Sequence, residues 1–353
     1  MLVNRIANAD GAYRTEGGEV DGVRLAYNRG GPRPIDSIAT PAERRSALAR
    51  FAATGELTLG ELDLFWDRTT KVYWQYMRPA GRASFTFGLL ADLREALYFL
   101  TDMYAEATPA DPQPVRYAVL ASRIPGIFNL GGDLPHFAEL IRSHDRSVLR
   151  RYAHACIEVQ YPRATNVGLP LVGIALVQGD ALGGGFEAAL ACNVIVAEKR
   201  AKFGLPEVLF NLFPGMGALS FLTRRVGMVE AERMVFSGRI YTAEELHAMG
   251  VVDVLAEDGQ GEQAVQNFIA RIDRSFASRL AVYGSRQTIQ PVSREELMQI
   301  TERWVDAALT LGAADIRKME RLAAAQDRRW ASIAQQQRPA TVPGVEPVQA
   351  ATA

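Results

Sequence analysis

The sequence contains few cysteines and few lysines. Cys156 and Cys192 are the two cysteines, which are too few for a disulfide framework and lack metal-ligand spacing. Only four residues are lysines, and Lys+Arg 39 against Asp+Glu 40 leaves a formal net charge of -1. A chain without net positive charge has no global field for nucleic acid or for an anionic membrane. We therefore expect neither as a partner.

Long apolar runs are also missing. The longest charge-free stretch in the apolar middle, residues 164–179, is shorter than the ~18–20 apolar residues that a membrane span needs. Residues 1–20 lack an apolar signal core, so we expect a cytoplasmic protein. The histidines show no ligand spacing, and we predict no metal site from them; they are His136, His144, His154 and His247.

The two ends of the chain differ in composition from its middle. Residues 1–55 are rich in Gly, Arg, Asp and Ala without a sustained period, and we predict a flexible N-terminal extension there. Residues 334–353 are mainly Gln, Pro and Ala, which predicts a disordered tail. The chain as a whole is 48% hydrophobic and 22% charged, as is typical of globular proteins, so the middle can bury a large core.

In the middle of the chain, short apolar runs alternate with helical patterns. The runs at residues 116–122, 171–177, 193–197 and 251–255 have the length and composition of buried strands. Helical spacing or length indicates helices at 89–104, 145–159, 185–192 and 228–237, and mainly helix from residue 262 to about 330. This alternation predicts an α/β fold.

A glycine triplet lies where a predicted strand turns into a helix. Gly183, Gly184 and Gly185 would let a ligand atom approach backbone N–H groups at a helix N-terminus. The loop lacks the Lys and Ser/Thr of a phosphate loop, so it favours a developing oxyanion. Glu187 follows in the first helical turn and Glu207 in a Leu-Pro-Glu segment. Two carboxyls converging on an apolar pocket would have different pKa values, as an acid–base pair requires.

A second glycine loop, with the sequence FNLGGDL, occupies residues 128–134 after the strand at 116–122. Two such loops could supply two N–H donors to one carbonyl oxygen. Structural roles explain each feature taken alone, because a glycine triplet makes tight turns and an early helical Glu favours the helix dipole. The combination is what favours a catalytic site.

The motif series resembles the crotonase (enoyl-CoA hydratase/isomerase) superfamily. It consists of a strand followed by NLGGDL, then GDALGGGFE, FGLPE and FPGMGA, with matching spacing over about residues 117–255. Within the superfamily the chain is most similar to the diffusible signal factor synthases, which make cis-2-unsaturated fatty acid signals for quorum sensing. That similarity lies in VYWQYMRPAGRASFTFGLL and FGLPEVLFNLFPGMGALSFL. The resemblance implies a crotonase core of repeated ββα units in a spiral over residues 56–260 and a helical trimerisation region over 261–333.

The resemblance also implies roles for individual residues. Glu187 and Glu207 match the two catalytic glutamates. Gly132 and Gly184 match the two N–H donors of the oxyanion hole. Three further residues match acyl-pocket positions of the signal synthases: Met216, Trp304 and Leu322. Core packing explains these three equally well.

The implied reaction is dehydration of a 3-hydroxyacyl thioester to a cis-2-enoyl product, followed by hydrolysis of the thioester to a free acid. No cofactor is implied. The assignment of acid and base to the two glutamates stays open, and so does the carrier, which is acyl carrier protein or coenzyme A. The family resemblance further implies a homotrimer or hexamer, and it allows for a sensor kinase as regulator.

Two other functions are compatible with the motifs. A general enoyl-CoA hydratase/isomerase acting on acyl-CoA would keep the glutamates and the oxyanion hole, but residues 57–90 do not match the general hydratase pattern. A non-catalytic scaffold that binds a sensor-kinase domain or RNA would be favoured by loss of a glutamate, and both are present. RNA binding would also require a lysine-rich helix.

Overall fold

The longer strands pair in one sheet of the computed structural model, which describes residues 40–79 and 81–336. In spatial order this seven-stranded sheet contains β1 (Glu56–Thr58), β2 (Leu62–Asp67), β3 (Val72–Met77), β4 (Tyr117–Ser122), β6 (Val172–Val177), β8 (Val194–Glu198) and β11 (Val254–Ala256). The first three strands are antiparallel. From β3 to β11 all neighbours are parallel.

Four strands of three residues each form a second, small sheet within the described part of the chain. They are β5 (Ile127–Asn129), β7 (Asp180–Leu182), β9 (Lys202–Gly204) and β10 (Ile240–Thr242), in the order β10-β9-β7-β5. Strands β5, β7 and β9 are parallel, and β10 is antiparallel to β9. The carboxyl ends of three parallel neighbours therefore lie side by side.

Helices connect and cover the two sheets. They are α1 (Pro41–Thr54), α2 (Phe87–Ala105), α3 (Leu134–Arg142), α4 (Arg146–Ala164), α5 (Gly184–Leu190), α6 (Ala218–Val226), α7 (Met228–Ser237), α8 (Ala243–Ala248), α9 (Gly261–Ile272), α10 (Phe276–Ile289), α11 (Arg294–Leu309) and α12 (Ala313–Gln336). Strand β4 leads to β5 and α3, β6 leads to β7 and α5, and β8 leads to β9 and, after a 3₁₀ turn, α6. The predicted α/β fold with ββα units and a helical C-terminal region is confirmed. The three-residue strands of the small sheet escaped sequence analysis because such short segments show no periodicity.

Both faces of the large sheet are buried. Side chains alternate along a strand, and successive residues of β3, such as Tyr73 and Trp74, enter separate apolar clusters. Helices α9 and α10 contribute Phe268 and Phe276 to the cluster on one face. Helices α2, α4 and α5 contribute to the cluster on the other face. Burial on both faces explains why these strands are continuous apolar runs in the sequence.

A flexible extension was predicted for residues 1–55, but residues Pro41–Thr54 fold as helix α1. Thr40 and Glu43 form a capping box at the start of α1. The Phe51 side chain of this helix is fully buried, and its ring contacts Tyr73 edge-on at 5.9 Å between centroids. Burial of such a ring stabilises the packed helix by roughly 1.5–3 kcal/mol. The tail predicted to be disordered over residues 334–353 begins later, because residues 334–336 belong to the end of α12. The rest of the extension, residues 1–39, and residues 337–353 of the tail lie outside the described residues.

Within residues 40–79 and 81–336, no helix combines the length and the apolar character that crossing a bilayer requires.

The turn between β6 and β7 yields a test of the packing. A Cβ atom on Gly179 would lie 2.0 Å from the carbonyl carbon of Gly126, which is backbone and cannot swing away. We expect Gly179→Ala to lower the free energy of unfolding by about 3 kcal/mol or more, measured by urea denaturation. Gly284→Ala, in α10 with nothing within 4 Å of the new Cβ, is the matched control and should raise it by about 0.5–1 kcal/mol. Equal stability of the two variants would contradict this packing.

Candidate active site

Glu187 is a buried carboxyl whose position is fixed by backbone. It lies in the first turn of α5 and is 1% exposed. Its Oε1 accepts hydrogen bonds from the backbone N–H groups of Met216 at 2.7 Å and Ala218 at 2.9 Å. Gly217, between these donors, has φ +114°, a conformation that glycine adopts without strain, and this lets both N–H groups face one oxygen.

Glu207 approaches the same region from the end of β9. It belongs to a 3₁₀ turn, Pro206–Phe210, that follows this strand. A Cβ atom on Gly183 would lie 2.6 Å from Glu207 Oε1, so only glycine leaves room for this carboxyl. Glu207 Oε2 is buried and has no hydrogen-bond partner among the described residues. A buried acceptor without a partner is costly, and such groups are common at functional sites.

The surroundings of the two carboxyls favour their protonated forms. Burial raises the pKa of Glu187 to about 7, against the opposing effect of the backbone N–H groups that bond to it. Burial and, after it, the charge of Glu187 raise the pKa of Glu207 to about 8. At neutral pH the pair therefore keeps at least one proton, so that one carboxyl can donate a proton while the other accepts one.

Two glycine loops meet beside these carboxyls. Gly131 has φ +93°, and a Cβ atom on it would lie 2.8 Å from the carbonyl oxygen of Leu182 and 3.0 Å from the backbone nitrogen of Gly184. The N–H groups of Gly132 and Gly184 have no acceptor within the described residues. Two free donors on touching loops are the arrangement that an oxyanion requires.

All the site residues predicted from the sequence line one pocket: Gly132, Gly184, Glu187, Glu207, Met216, Trp304 and Leu322. The Phe137 ring contacts Tyr152 at 4.8 Å and Trp304 at 5.2 Å, both edge-on, and all three residues line the pocket. A Cβ atom on Gly215 would lie 2.5 Å from the Trp304 indole, so this glycine makes room for the ring. The pocket therefore joins a polar corner with two carboxyls to an aromatic wall.

Comparison with known proteins agrees with this geometry. The family model described as enoyl-CoA hydratase/isomerase matches residues 78–300, more than half of the chain. The chain belongs to this family. The mitochondrial methylglutaconyl-CoA hydratase of Homo sapiens is 28% identical over 257 residues, covering 71% of this chain and 70% of that protein. The 2,3-dehydroadipyl-CoA hydratase of Escherichia coli (strain K12) is 36% identical over 45% of this chain and 57% of its own length.

Solved structures show the same fold for this member of the enoyl-CoA hydratase/isomerase family. The enoyl-CoA hydratase from Bacillus halodurans has a TM-score of 0.62 at 22% identity, covering 74% of this chain and 99% of that one. Pseudomonas aeruginosa DspI has a TM-score of 0.55 at 23% identity, covering 70% of this chain and 94% of its own. These likenesses confirm the crotonase fold.

Some residues of the site were not found by sequence analysis. Gly131 stands beside the predicted donor Gly132, and its positive φ is a property of the folded loop. Gln326 lines the pocket from α12, one helical turn after Leu322, so the spacing i, i+4 was the available signal. Cys156 also lines the pocket, from α4. Within residues 40–79 and 81–336, no three His, Cys, Asp or Glu side chains converge as a metal site would require.

The raised pKa of Glu207 predicts how stability depends on pH in this enoyl-CoA hydratase/isomerase family member. A carboxyl whose folded-state pKa is about 8 contributes fully below its usual value of 4.5 and loses that contribution as the pH rises towards 8. Glu207→Gln cannot ionise. Between pH 5 and pH 8.5, the unfolding free energy of Glu207→Gln should therefore rise by roughly 2–4 kcal/mol relative to that of the unaltered protein. Urea denaturation at each pH measures this difference.

The matched control for this measurement is Glu139→Gln, because the Glu139 side chain is 80% exposed on α3. Its stability difference from the unaltered protein should stay constant over the same pH range. The same pH dependence in both variants would show that Glu207 is not a buried carboxyl of the kind described.

Proposed function

We propose that the protein dehydrates a 3-hydroxyacyl thioester carried on acyl carrier protein to a cis-2-enoyl product. In a second step it hydrolyses the thioester and releases a free cis-2-unsaturated fatty acid, a signal of the diffusible signal factor class. One observation carries the proposal. Two carboxyls, the buried Glu187 and the partly buried Glu207, line a single apolar pocket together with two free N–H donors, those of Gly132 and Gly184.

Dehydration requires loss of an α-proton and of the 3-hydroxyl group. The thioester oxygen lies between the N–H groups of Gly132 and Gly184, which stabilise the enolate charge that develops when the α-proton leaves. Loss of one such donor costs about 2.7–4 kcal/mol in comparable sites. One glutamate accepts the α-proton, and the other protonates the departing hydroxyl, so that water leaves. The two carboxyls suit these roles because the pair keeps a proton at neutral pH.

Hydrolysis uses the same groups a second time. A glutamate that has lost its proton accepts a proton from water as the water oxygen attacks the thioester carbon. The Gly132 and Gly184 donors then stabilise the tetrahedral oxyanion, and the carrier thiol leaves with a proton as the carboxylic acid forms. Neither step requires a group beyond the residues that line the pocket.

The segment that carries the similarity to signal synthases supports the narrower proposal through its position. Within residues 72–90, the backbone N–H of Phe85 donates to the carbonyl oxygen of Gly131 at 2.8 Å. The carbonyl oxygen of Ala83 accepts a hydrogen bond from the N–H of Leu130 at 2.6 Å. The distinctive segment thus borders the oxyanion loop itself. Met216, Trp304 and Leu322 would contact the acyl chain.

The proposal is tested with 3-hydroxydodecanoyl-acyl carrier protein and mass spectrometry of the released acids. The unaltered protein should release cis-2-dodecenoic acid. Glu187→Gln and Glu207→Gln should each lower the rate by at least about 100-fold, because each removes a proton-transfer group. Glu139→Gln, exposed on α3, is the matched control and should retain full activity. Near-full activity of either site variant would remove that glutamate from the mechanism.

A general enoyl-CoA hydratase/isomerase is the second candidate, favoured by the relatives named above, whose names specify coenzyme A thioesters. Such an enzyme would hydrate 2-dodecenoyl-CoA faster than it acts on the acyl carrier protein substrate, and it would release no free acid. The same mass spectrometric assay with both carriers separates the two functions.

We also propose that the protein is a homo-oligomer. Large apolar side chains are exposed on or beside α7, and those of Val229 and Phe236 are 63% and 74% exposed at i, i+7 spacing. Leu209, in the 3₁₀ turn that carries Glu207, is 55% exposed and lies close to Gly238 at the end of the same helix. An exposed apolar surface of this kind is typical of a subunit interface.

Substitution of Phe236 tests the oligomer. Phe236→Asp should lower the molar mass measured by light scattering, because a charge would lose hydration in an apolar interface. Ser147→Asp, at an exposed residue near the start of α4, lies outside this surface and should keep the molar mass unchanged. A monomeric unaltered protein would contradict the proposal.

A further inference from the structure

Helix α12 contacts both sides of the glycine loop that carries Gly132. The Gln326 side-chain amide donates to the carbonyl oxygen of Leu130 at 3.0 Å. The next residue, Asp327, accepts from Arg82 Nε at 2.8 Å, and a second nitrogen of the same guanidinium lies 3.4 Å from Asp133 Oδ1. Consecutive residues of one helix thus reach, directly or through one arginine, the residues that flank Gly131 and Gly132.

Backbone groups of a second segment, residues 83–85, also hold this loop. Residues 83–85 bond to Leu130 N–H and to the Gly131 carbonyl, and the Gly131 N–H donates to Asn129 Oδ1 at 2.8 Å. No contact among the described residues holds the Gly132 N–H itself. Two consecutive glycines leave the backbone with unusual freedom, so the direction of this N–H depends on what holds the loop from outside.

Helix α12 is anchored next to the loop by contacts that do not involve Asp327. Arg329 forms an ion pair with Asp180 of β7 at 2.7 Å. Arg329 also donates to the carbonyl oxygen of Gly126, just before β5, at 3.2 Å. The Trp330 ring packs on the apolar cluster that contains Ile127. The helix therefore stays in place when Asp327 is altered, and it offers a fixed support for Arg82.

We propose that Asp327, acting through Arg82, is a positioning residue for the Gly132 N–H donor. This inference rests on the proposed function, because the Gly132 N–H acts as a donor in catalysis only if a thioester oxygen binds against it. Arg82 and Asp327 are 41% and 44% exposed in their side chains, and a pair this exposed contributes little to stability. The pair affects the rate through the position that it gives to the loop, because misplacement of a catalytic donor by about 1 Å can lower a rate by about 100-fold.

The test compares Asp327→Asn with a control on the same helix. Glu320 forms an ion pair with Arg142 at 2.5 Å, at the end of α3 that lies away from the glycine loop. We expect Asp327→Asn to lower kcat about tenfold with KM changed less than twofold. Glu320→Gln should leave both unchanged, and both variants should unfold at the same urea concentration as the unaltered protein. Asp327→Glu, which keeps the charge, should restore most of kcat.

A second measurement does not depend on any substrate. The amide hydrogen of Leu130 is bonded to the carbonyl oxygen of Ala83, and that of Gly131 to Asn129 Oδ1, so their exchange with deuterium reports the mobility of the loop. In the free protein, Asp327→Asn should accelerate their exchange several-fold, and Glu320→Gln should not. Equal exchange rates in the two variants would overturn the positioning role. If the unaltered protein turns over no thioester, the proposed function fails, and the exchange experiment still decides whether Asp327 holds the loop.

A kinetic result can also overturn the inference. Retention of kcat in Asp327→Asn, with normal turnover by the unaltered protein, would leave the proposed function intact and remove Asp327 from it. A loss of kcat accompanied by an equal loss in Glu320→Gln would assign the effect to the packing of α12 as a whole, which contradicts a specific role for the Arg82 bridge.

Discussion

The site depends on the parallel pairing of three very short strands. Because β5, β7 and β9 run in the same direction, the chain leaves all of them at the same edge of the small sheet. The loop with Gly132 follows β5, Gly183 and Gly184 follow β7, and Glu207 follows β9. Three residues per strand are too few to be stable alone, so these strands depend on the large sheet and the helices that cover it. A shift of register by one residue would separate the carboxyls from the donors.

Burial of the two carboxyls lowers the free energy of unfolding, and other parts of the fold must offset this loss. Glu187 is compensated by two backbone donors, whereas Glu207 Oε2 has no partner among the described residues. This asymmetry suits a site in which one carboxyl is held rigidly and the other completes its hydrogen bonds only when substrate or water enters. Most of the stability must come from the large core, where both faces of the seven-stranded sheet are buried.

Sequence analysis named pocket-lining residues more successfully than it described the periphery, and the reasons are physical. Glu187 and Gly184 are close in sequence and belong to a motif with strict spacing, so their proximity in space could be predicted. The backbone N–H groups that bond to Glu187 come from residues 216–218, and a backbone donor leaves no signal in residue type. Asp327 meets Arg82 across 245 positions, and a surface ion pair has no pattern to mark it. The prediction of a flexible extension did not include the packing of helix α1, because Gly- and Arg-rich flanks obscured its few apolar residues.

A single chain supplies pocket-lining residues from Leu130 to Gln326. Residues 196 positions apart meet there, because α12 returns to the loop after β5. Each subunit of an assembly thus carries both the chemical groups and the helix that supports them. In the proposed oligomer, two chains of very low activity, one altered at Glu187 and the other at Glu207, would not complement each other when mixed, and activity in a mixture with unaltered chains would scale with the fraction of unaltered subunits.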